Sequence, residues 1–264
     1  MQRLHPLPEG APAQDPALAT PAGLADAYAY PASTADGTPY LRANMVSSLD
    51  GAARVGGKSA PLSSEADMRI FGTLRALCDL VLVGAETVRQ ENYRPAKARA
   101  DFADRRAALG QQPAPAIAVI SRRLDLDFTA PLFTSPPAPT LVLTGAGAPD
   151  SALAEARAAG AVVVTAGEGD GVDPVRAVRE VAARGFVRLL HEGGPRILAQ
   201  FAAADVLDEL CLTLSPLIAG GDAPRIMNGP GVLDPTRFVP LSVLEEDGFL
   251  FTRYGRAIRH GRSE

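Results

Sequence analysis

The stretch Phe186-Val187-Arg188-Leu189-Leu190-His191-Glu192-Gly193-Gly194-Pro195-Arg196-Ile197-Leu198 opens on a short apolar run and meets an acid, two glycines and a proline. It continues with Ile197, Leu198 and Phe201 on one helical face. That order reads as strand, tight turn, helix. Glycine permits the turn and lets a ligand come close to the backbone. Pro195 suits a first helical turn, where its missing N–H has no partner to lose. The free N–H groups and positive dipole end of such a helix favour phosphate. Glu192 then stands at the carboxyl end of a strand, where open α/β sheets bind their ligands. An ordinary Gly-rich strand–helix loop has the same local pattern, so the rest of the chain has to decide.

Outward from this stretch, apolar runs alternate with helical patterns. Residues 40–49 read as the first strand, closed by the turn Asp50-Gly51. A Gly-rich loop, Val55-Gly56-Gly57-Lys58, follows. Ser63 and Ser64 are candidate N-caps, with Asp67 three residues beyond Ser64, for a helix running through Met68, Phe71, Leu74 and Leu77. Residues 79–83 and 116–120 read as strands buried on both faces. Between them, 93–115 reads as a charged loop with a solvated helix around Phe102 to Leu109. Strands are expected at 139–143, 161–165 and 206–214, and helices near 150–159 and 174–184. Residues 241–254 form two apolar runs around Asp247-Gly248, a hairpin signal. The alternation predicts an α/β fold with a mostly parallel central sheet flanked by helices and a C-terminal antiparallel hairpin. Residues 1–36, rich in Pro and Ala, read as an extended segment in which Gly23 to Tyr30 docks on the body; 37–264 reads as a single domain.

Composition removes several classes of function. A net charge of −4 leaves no electrostatic footprint for nucleic acid. The apolar runs are too short to span a bilayer, and the first residues hold no signal-peptide core, so a cytoplasmic location is expected. Cys78 and Cys211 sit in apolar patterns and read as buried free thiols. His5, His191 and His260 share no metal-ligand spacing, so no metal is expected.

Several strands end in Gly, Ser or Thr: Gly84, Ser121, Thr144 and Gly193. Gathered on one edge of a parallel sheet, such ends build a cleft of backbone N–H groups and hydroxyls suited to a dinucleotide. Ser121-Arg122-Arg123 adds a hydroxyl and a guanidinium fork for an extra phosphate, which favours NADPH over NADH, though a solvated basic loop reads the same way. The sequence has no G-x-G-x-x-G after its first strand, no P-loop and no G-x-S-x-G. Asn44 can face the cleft as a polar anchor. Asp50 reads as a turn residue before a catalyst, Lys58 as solvated, and His191 as a satisfied strand residue. Asp67 stands between helix-start charge and ligand contact.

Ser48-Leu49-Asp50-Gly51, Leu74-Arg75-Ala76 through Cys78-Asp79, Val83-Gly84-Ala85-Glu86-Thr87-Val88, Ser121-Arg122 and Glu192-Gly193-Gly194-Pro195 occur in one order. With these motifs, residues 38–256 resemble the reductase domain of bifunctional riboflavin-biosynthesis deaminase/reductases, and especially its stand-alone actinobacterial pyrimidine reductase branch. The resemblance implies a dihydrofolate-reductase-like fold and hydride transfer from NADPH to a ribosylaminopyrimidine, as in 5-amino-6-(5-phosphoribosylamino)uracil reductases. It implies cofactor contacts from Gly84, Thr87, Ser121, Arg122, Thr144, Gly193 and Gly194. Asn44, Ser63, Asp67, Asn92 and Glu192 match positions lining the substrate pocket, and Glu192, Asn44 and Asp67 are the catalytic candidates. A homodimer with no nucleic-acid or membrane partner is expected. The chain departs from the family at Glu86, where Gly is usual, and at Glu91-Asn92-Tyr93, where Asp-Asp-Pro is usual; the zinc deaminase half is missing. Reduction of a pterin, as by dihydrofolate reductase, and a non-catalytic NADPH-binding module are the alternatives.

Overall fold

The computed structural model describes residues 1–6, 15–231 and 235–257. A ten-stranded sheet runs through the molecule in the order β1-β9-β10-β8-β2-β7-β3-β4-β5-β6. The strands are β1 (Gln2–His5), β2 (Tyr40–Ser47), β3 (Leu80–Gly84), β4 (Ala116–Ile120), β5 (Leu141–Thr144), β6 (Val162–Thr165), β7 (Arg188–His191), β8 (Glu209–Leu214), β9 (Phe238–Glu246) and β10 (Phe249–Arg256). From β8 to β6 every pairing is parallel; β10, β9 and β1 continue the sheet antiparallel. The helices are α1 (Pro21–Ala27), α2 (Glu65–Leu77), α3 (Ala85–Gln90), α4 (Ala103–Ala108), α5 (Pro131–Thr134), α6 (Asp150–Ala158), α7 (Pro174–Ala182) and α8 (Pro195–Ala203).

The central strands alternate between two apolar layers. Val81, Val83, Ile117 and Val119 join Leu74, Leu77 and Phe102 on one face, while Leu80, Leu82, Ala118 and Ile120 join Val181, Leu198 and Phe201 on the other. Burial on both faces is why these strands carry no polar alternation. The hairpin forms where Asp247-Gly248 predicts it, with both residues at positive φ. Pro240 is tolerated inside β9 because β1 pairs only with 243–245, leaving Pro240 on an outer edge that needs no N–H.

The head of the chain differs from an extended segment. Residues 2–5 pair with β9, and Leu18, Leu24 and Tyr28 are buried in the first apolar layer. Arg42 donates to the carbonyls of Tyr28 (2.8 Å) and Ala29 (3.3 Å), and Arg253 donates to that of Ala27. Both guanidiniums converge on Glu209, Arg42 at 3.0 Å and Arg253 at 2.8 Å, in a cluster where Arg42 and Glu209 are fully enclosed. Burial alone would push the Glu209 carboxyl up, but Arg42 and Arg253 outweigh it and hold it at about 2. Part of the 1–36 stretch, residues 7–14, lies outside the described residues.

Candidate active site

The parallel strands finish along one rim, and the turns leaving β3 and β7 are bonded to each other. Glu192 N–H donates to Leu82 O (2.9 Å) and Gly84 N–H donates to Gly193 O (2.9 Å). Gly193 has φ +92°, which a side chain would oppose, and a Cβ on Gly194 would stand 3.1 Å from Thr87 Oγ1. Two lobes open on this rim. The larger, about 820 Å³, includes Asn44, Ser63, Asp67, Arg75, Tyr93 and Glu192 in its wall. The smaller, about 430 Å³, includes Gly84, Thr87, Ser121, Arg122, Arg123 and Ile197. Arg54, Thr87, Gln90, Gly194 and Pro195 border both, so the lobes form one cleft.

Helix α2 supplies one wall of the large lobe. Ser64 caps it, its hydroxyl accepting from Asp67 N–H (3.1 Å), so the N-cap expectation holds at Ser64. Asp67, Phe71 and Arg75 then recur every fourth residue on the face that borders the cavity. The Arg99 guanidinium lies over Gly72, in the space a Cβ there would take. The Asp67 carboxylate accepts from Ser63 Oγ (2.5 Å) and from Thr213 Oγ1 on β8 (2.7 Å). Burial pushes this acid above its ordinary range, against the opposing pull of the two hydroxyls.

Glu192 has a different environment. Its oxygens accept from Arg75 Nε (2.7 Å) and Nη2 (2.6 Å), a bidentate pair, and the Tyr93 hydroxyl donates to Oε2 as well. The Arg75 guanidinium lies between two rings, 4.4 Å from the centroid of Phe71 and 4.9 Å from that of Tyr93. Burial and the neighbouring Glu192 charge keep the Tyr93 hydroxyl protonated. Glu192 is therefore an anchored acceptor, with both oxygens in use.

In the small lobe the Ser121 hydroxyl accepts from Leu124 N–H (3.0 Å) and keeps its own proton available. Arg122 and Arg123 are exposed and form no ion pair with a described residue. Two free guanidiniums beside a hydroxyl, close to the N-terminus of α8, fit a phosphate-bearing dinucleotide.

The sequence expectations sort clearly along this rim. The cleft brings together Asn44, Ser63, Asp67, Asn92, Glu192, Gly84, Thr87, Ser121, Arg122, Gly193 and Gly194. It does not include Thr144, which follows the Leu143 carbonyl that accepts from Ser121 N–H (3.0 Å) but is itself fully buried at the end of β5 and borders neither lobe. Lys58 also borders neither lobe. Asp50 is a turn residue: it accepts from Ala219 and Gly220 N–H (3.1 and 2.7 Å), and with Ser48 these bonds hold its carboxyl at about 2. His191 is enclosed, its Nδ1 accepting from Gly193 N–H (3.0 Å), and burial pulls its pKa down to about 3. Both cysteines are buried free thiols. Among the described residues no group of acids, histidines and cysteines could hold a metal ion, and no helix is long and apolar enough to cross a membrane.

Three side chains bonded to the two acids were given no role in the sequence reading. Arg75 was readable as the third member of the Asp67–Phe71–Arg75 series, and Tyr93 only as a departure from a family pattern. Thr213 had no local signal, since β8 reaches Asp67 from far along the chain.

Comparison with known proteins places this geometry. The family described as the RibD C-terminal domain matches residues 39–247. The 2,5-diamino-6-ribosylamino-4(3H)-pyrimidinone 5′-phosphate reductase of Methanothermobacter thermautotrophicus is 30% identical over 195 residues, covering 74% of this chain and 86% of that protein. The protein of the same name from Archaeoglobus fulgidus is 28% identical over 220 residues, covering 83% and 99%. Among solved structures, a pyrimidine reductase-like protein from Corynebacterium diphtheriae superposes with a TM-score of 0.76 at 27% identity, covering 89% of this chain and 98% of that one.

Proposed function

Because the chain belongs to the RibD C-terminal domain family, we propose that it is an NADPH-dependent oxidoreductase of riboflavin biosynthesis, reducing a ribosylaminopyrimidine 5′-phosphate. The observation that carries this reading is the single two-lobed cleft, with a cationic, hydroxyl-bearing small lobe opening through the Gly194 turn into a large lobe lined by acids. NADPH, when bound, supplies the hydride at its nicotinamide ring.

In this reading Ser121 and Arg122 hold the 2′-phosphate, and the Gly193–Gly194 turn and the first turn of α8 offer N–H groups to the rest of the dinucleotide. Thr144 takes no part. Glu192, fixed by Arg75 and Tyr93, has one acceptor position left on Oε1 for a donor on the pyrimidine. A proton must reach the substrate nitrogen as hydride reaches carbon. Asp67 is the group for that transfer, because its carboxyl is buried, raised and partnered by hydroxyls, whereas Glu192 is clamped by a guanidinium. Asn44 and Ser63 orient the ring and ribose beside it. Walls that exclude water and fix the reacting atoms supply the rest of the acceleration. A homodimer is part of this reading; the outer half of β9, with Val239 and Leu241 exposed, offers an apolar edge for it.

Following NADPH absorbance with the pyrimidine ribosylamine 5′-phosphate and with dihydrofolate in parallel tests the proposal. Turnover of the first supports it; turnover of dihydrofolate alone reassigns the substrate; tight NADPH binding without turnover of either makes the protein a binding module. Sedimentation gives the assembly state.

A further inference from the structure

Arg54 stands where the two lobes meet, and it carries the sole charge among the five residues bordering both. It is half-buried, yet its guanidinium makes no hydrogen bond, ion pair or ring stack with any described residue. The backbone on either side is fixed: Ala53 N–H donates to Pro224 O (2.9 Å), and Val55 and Lys58 exchange bonds of 2.9 and 3.2 Å. A partly desolvated cation on a fixed backbone, with no protein partner, is built for an anion brought by a ligand.

Geometry limits which anion that is. A dinucleotide with its 2′-phosphate at Ser121 and Arg122 and its nicotinamide in the large lobe has its diphosphate bridge at the junction. Beyond the proposed function, and resting on its choice of cofactor, we infer that Arg54 is a cofactor-binding residue that grips this bridge. Arg122 reads the feature that distinguishes NADPH from NADH; Arg54 reads the one they share.

Equilibrium titration of the full chain with NADPH and with NADH, without substrate, tests this. Arg54→Ala should weaken both by the same factor, about 10- to 100-fold for one charge-assisted contact, with Arg54→Lys recovering part of the loss. Arg122→Ala should weaken NADPH far more than NADH. Thermal melting of Arg54→Ala should match the wild type, since the side chain has no partner to lose. Unchanged dinucleotide affinity in Arg54→Ala, with a raised KM for the pyrimidine phosphate, would give Arg54 to the substrate and overturn the inference. Weakening confined to NADPH would overturn it too. A wild-type protein that binds neither dinucleotide removes the underlying cofactor reading instead, and the inference falls with it.

Discussion

Replacing Asp67 by Asn separates chemistry from stability. The side chain is 7% exposed and has two hydroxyl partners, Ser63 at 2.5 Å and Thr213 at 2.7 Å. Asn keeps the shape, and both hydroxyls can turn, one to donate and one to accept, so the net hydrogen-bond change is within about 1 kcal/mol. The charge effect favours the variant. Burial raises the Asp67 pKa above 3.8, so the folded state holds this proton more tightly than the unfolded state. That contribution is fully present below 3.8 and is lost as pH climbs through the folded pKa. Above the folded pKa the ionised carboxylate therefore costs the fold something that Asn does not. Asp67→Asn should melt at or above the wild-type temperature once pH exceeds the folded Asp67 pKa, with the advantage vanishing in acid. Its kcat should fall by about 10²- to 10⁴-fold, the loss expected for a general acid, or about 3–5 kcal/mol of transition-state stabilisation. NADPH affinity should change little, because Asp67 is absent from the small lobe, where the phosphates that anchor the dinucleotide are held. The wild-type rate should decline as pH rises through the Asp67 pKa, and the variant should lack that limb. Melting curves, NADPH titration and a pH–rate profile cover all four outcomes. A variant with kcat within about threefold of wild type and an unchanged pH profile would remove Asp67 from the proton path.

Glu192→Gln breaks the bidentate pair and should destabilise by about 2–3 kcal/mol, less than a fully enclosed pair because Arg75 keeps 23% of its side chain exposed. It should also raise the pyrimidine KM while sparing NADPH binding, which urea melts and steady-state kinetics check. Tyr93→Phe removes one donor to Glu192 and should cost about 1 kcal/mol by the same melts. Glu209→Gln leaves Arg42 and Arg253 without their counter-charge in an enclosed site and should cost about 3–5 kcal/mol. Because the Glu209 pKa is depressed from 4.5 to about 2, its contribution is present above 4.5 and lost as pH falls toward 2. Acid unfolding followed by circular dichroism should thus begin from a lower baseline, and with a shallower pH dependence, in Glu209→Gln.

How much of this was legible in the sequence depended on whether the signal was local. The double-faced strands 79–83 and 116–120, the Asp247-Gly248 hairpin, the Ser64 cap and the Glu192 turn each carry their pattern within a few residues, and each forms where it was read. The start of β8 moved by three residues, to 209, because the N–H of Val206 bonds back to Phe201 O (3.3 Å) at the end of α8 instead of joining the ladder. At the head of the chain Leu24 and Tyr28 dock within the segment read to do so, whereas buried Leu18 and the pairing of residues 2–5 were missed because apolar residues are sparse there among prolines and alanines. What secures the docked segment is Arg42 and Arg253, charged residues in strands that give no hint of accepting backbone carbonyls as partners. Thr144 was grouped with the cleft because it ends a strand as Gly84 does; it is enclosed at the end of β5 rather than open to the cleft, which a strand-end pattern does not reveal. The Asp67–Thr213 bond spans 146 positions and the Arg75–Glu192 pair 117, so neither could be seen without the sheet that joins them.

The pairing of β1 with β9 has a consequence for how the chain is assembled. Gln2 and Glu245 are bonded across 243 positions, so during synthesis residues 2–5 leave the ribosome long before their partner strand exists. Such distant contacts close late, after the central layers have collapsed. Until then the edge of β9 has no cover against strands of other molecules. Deleting residues 2–5 should leave the catalytic rim intact and make the protein more prone to aggregate while it refolds, visible as turbidity on dilution from urea.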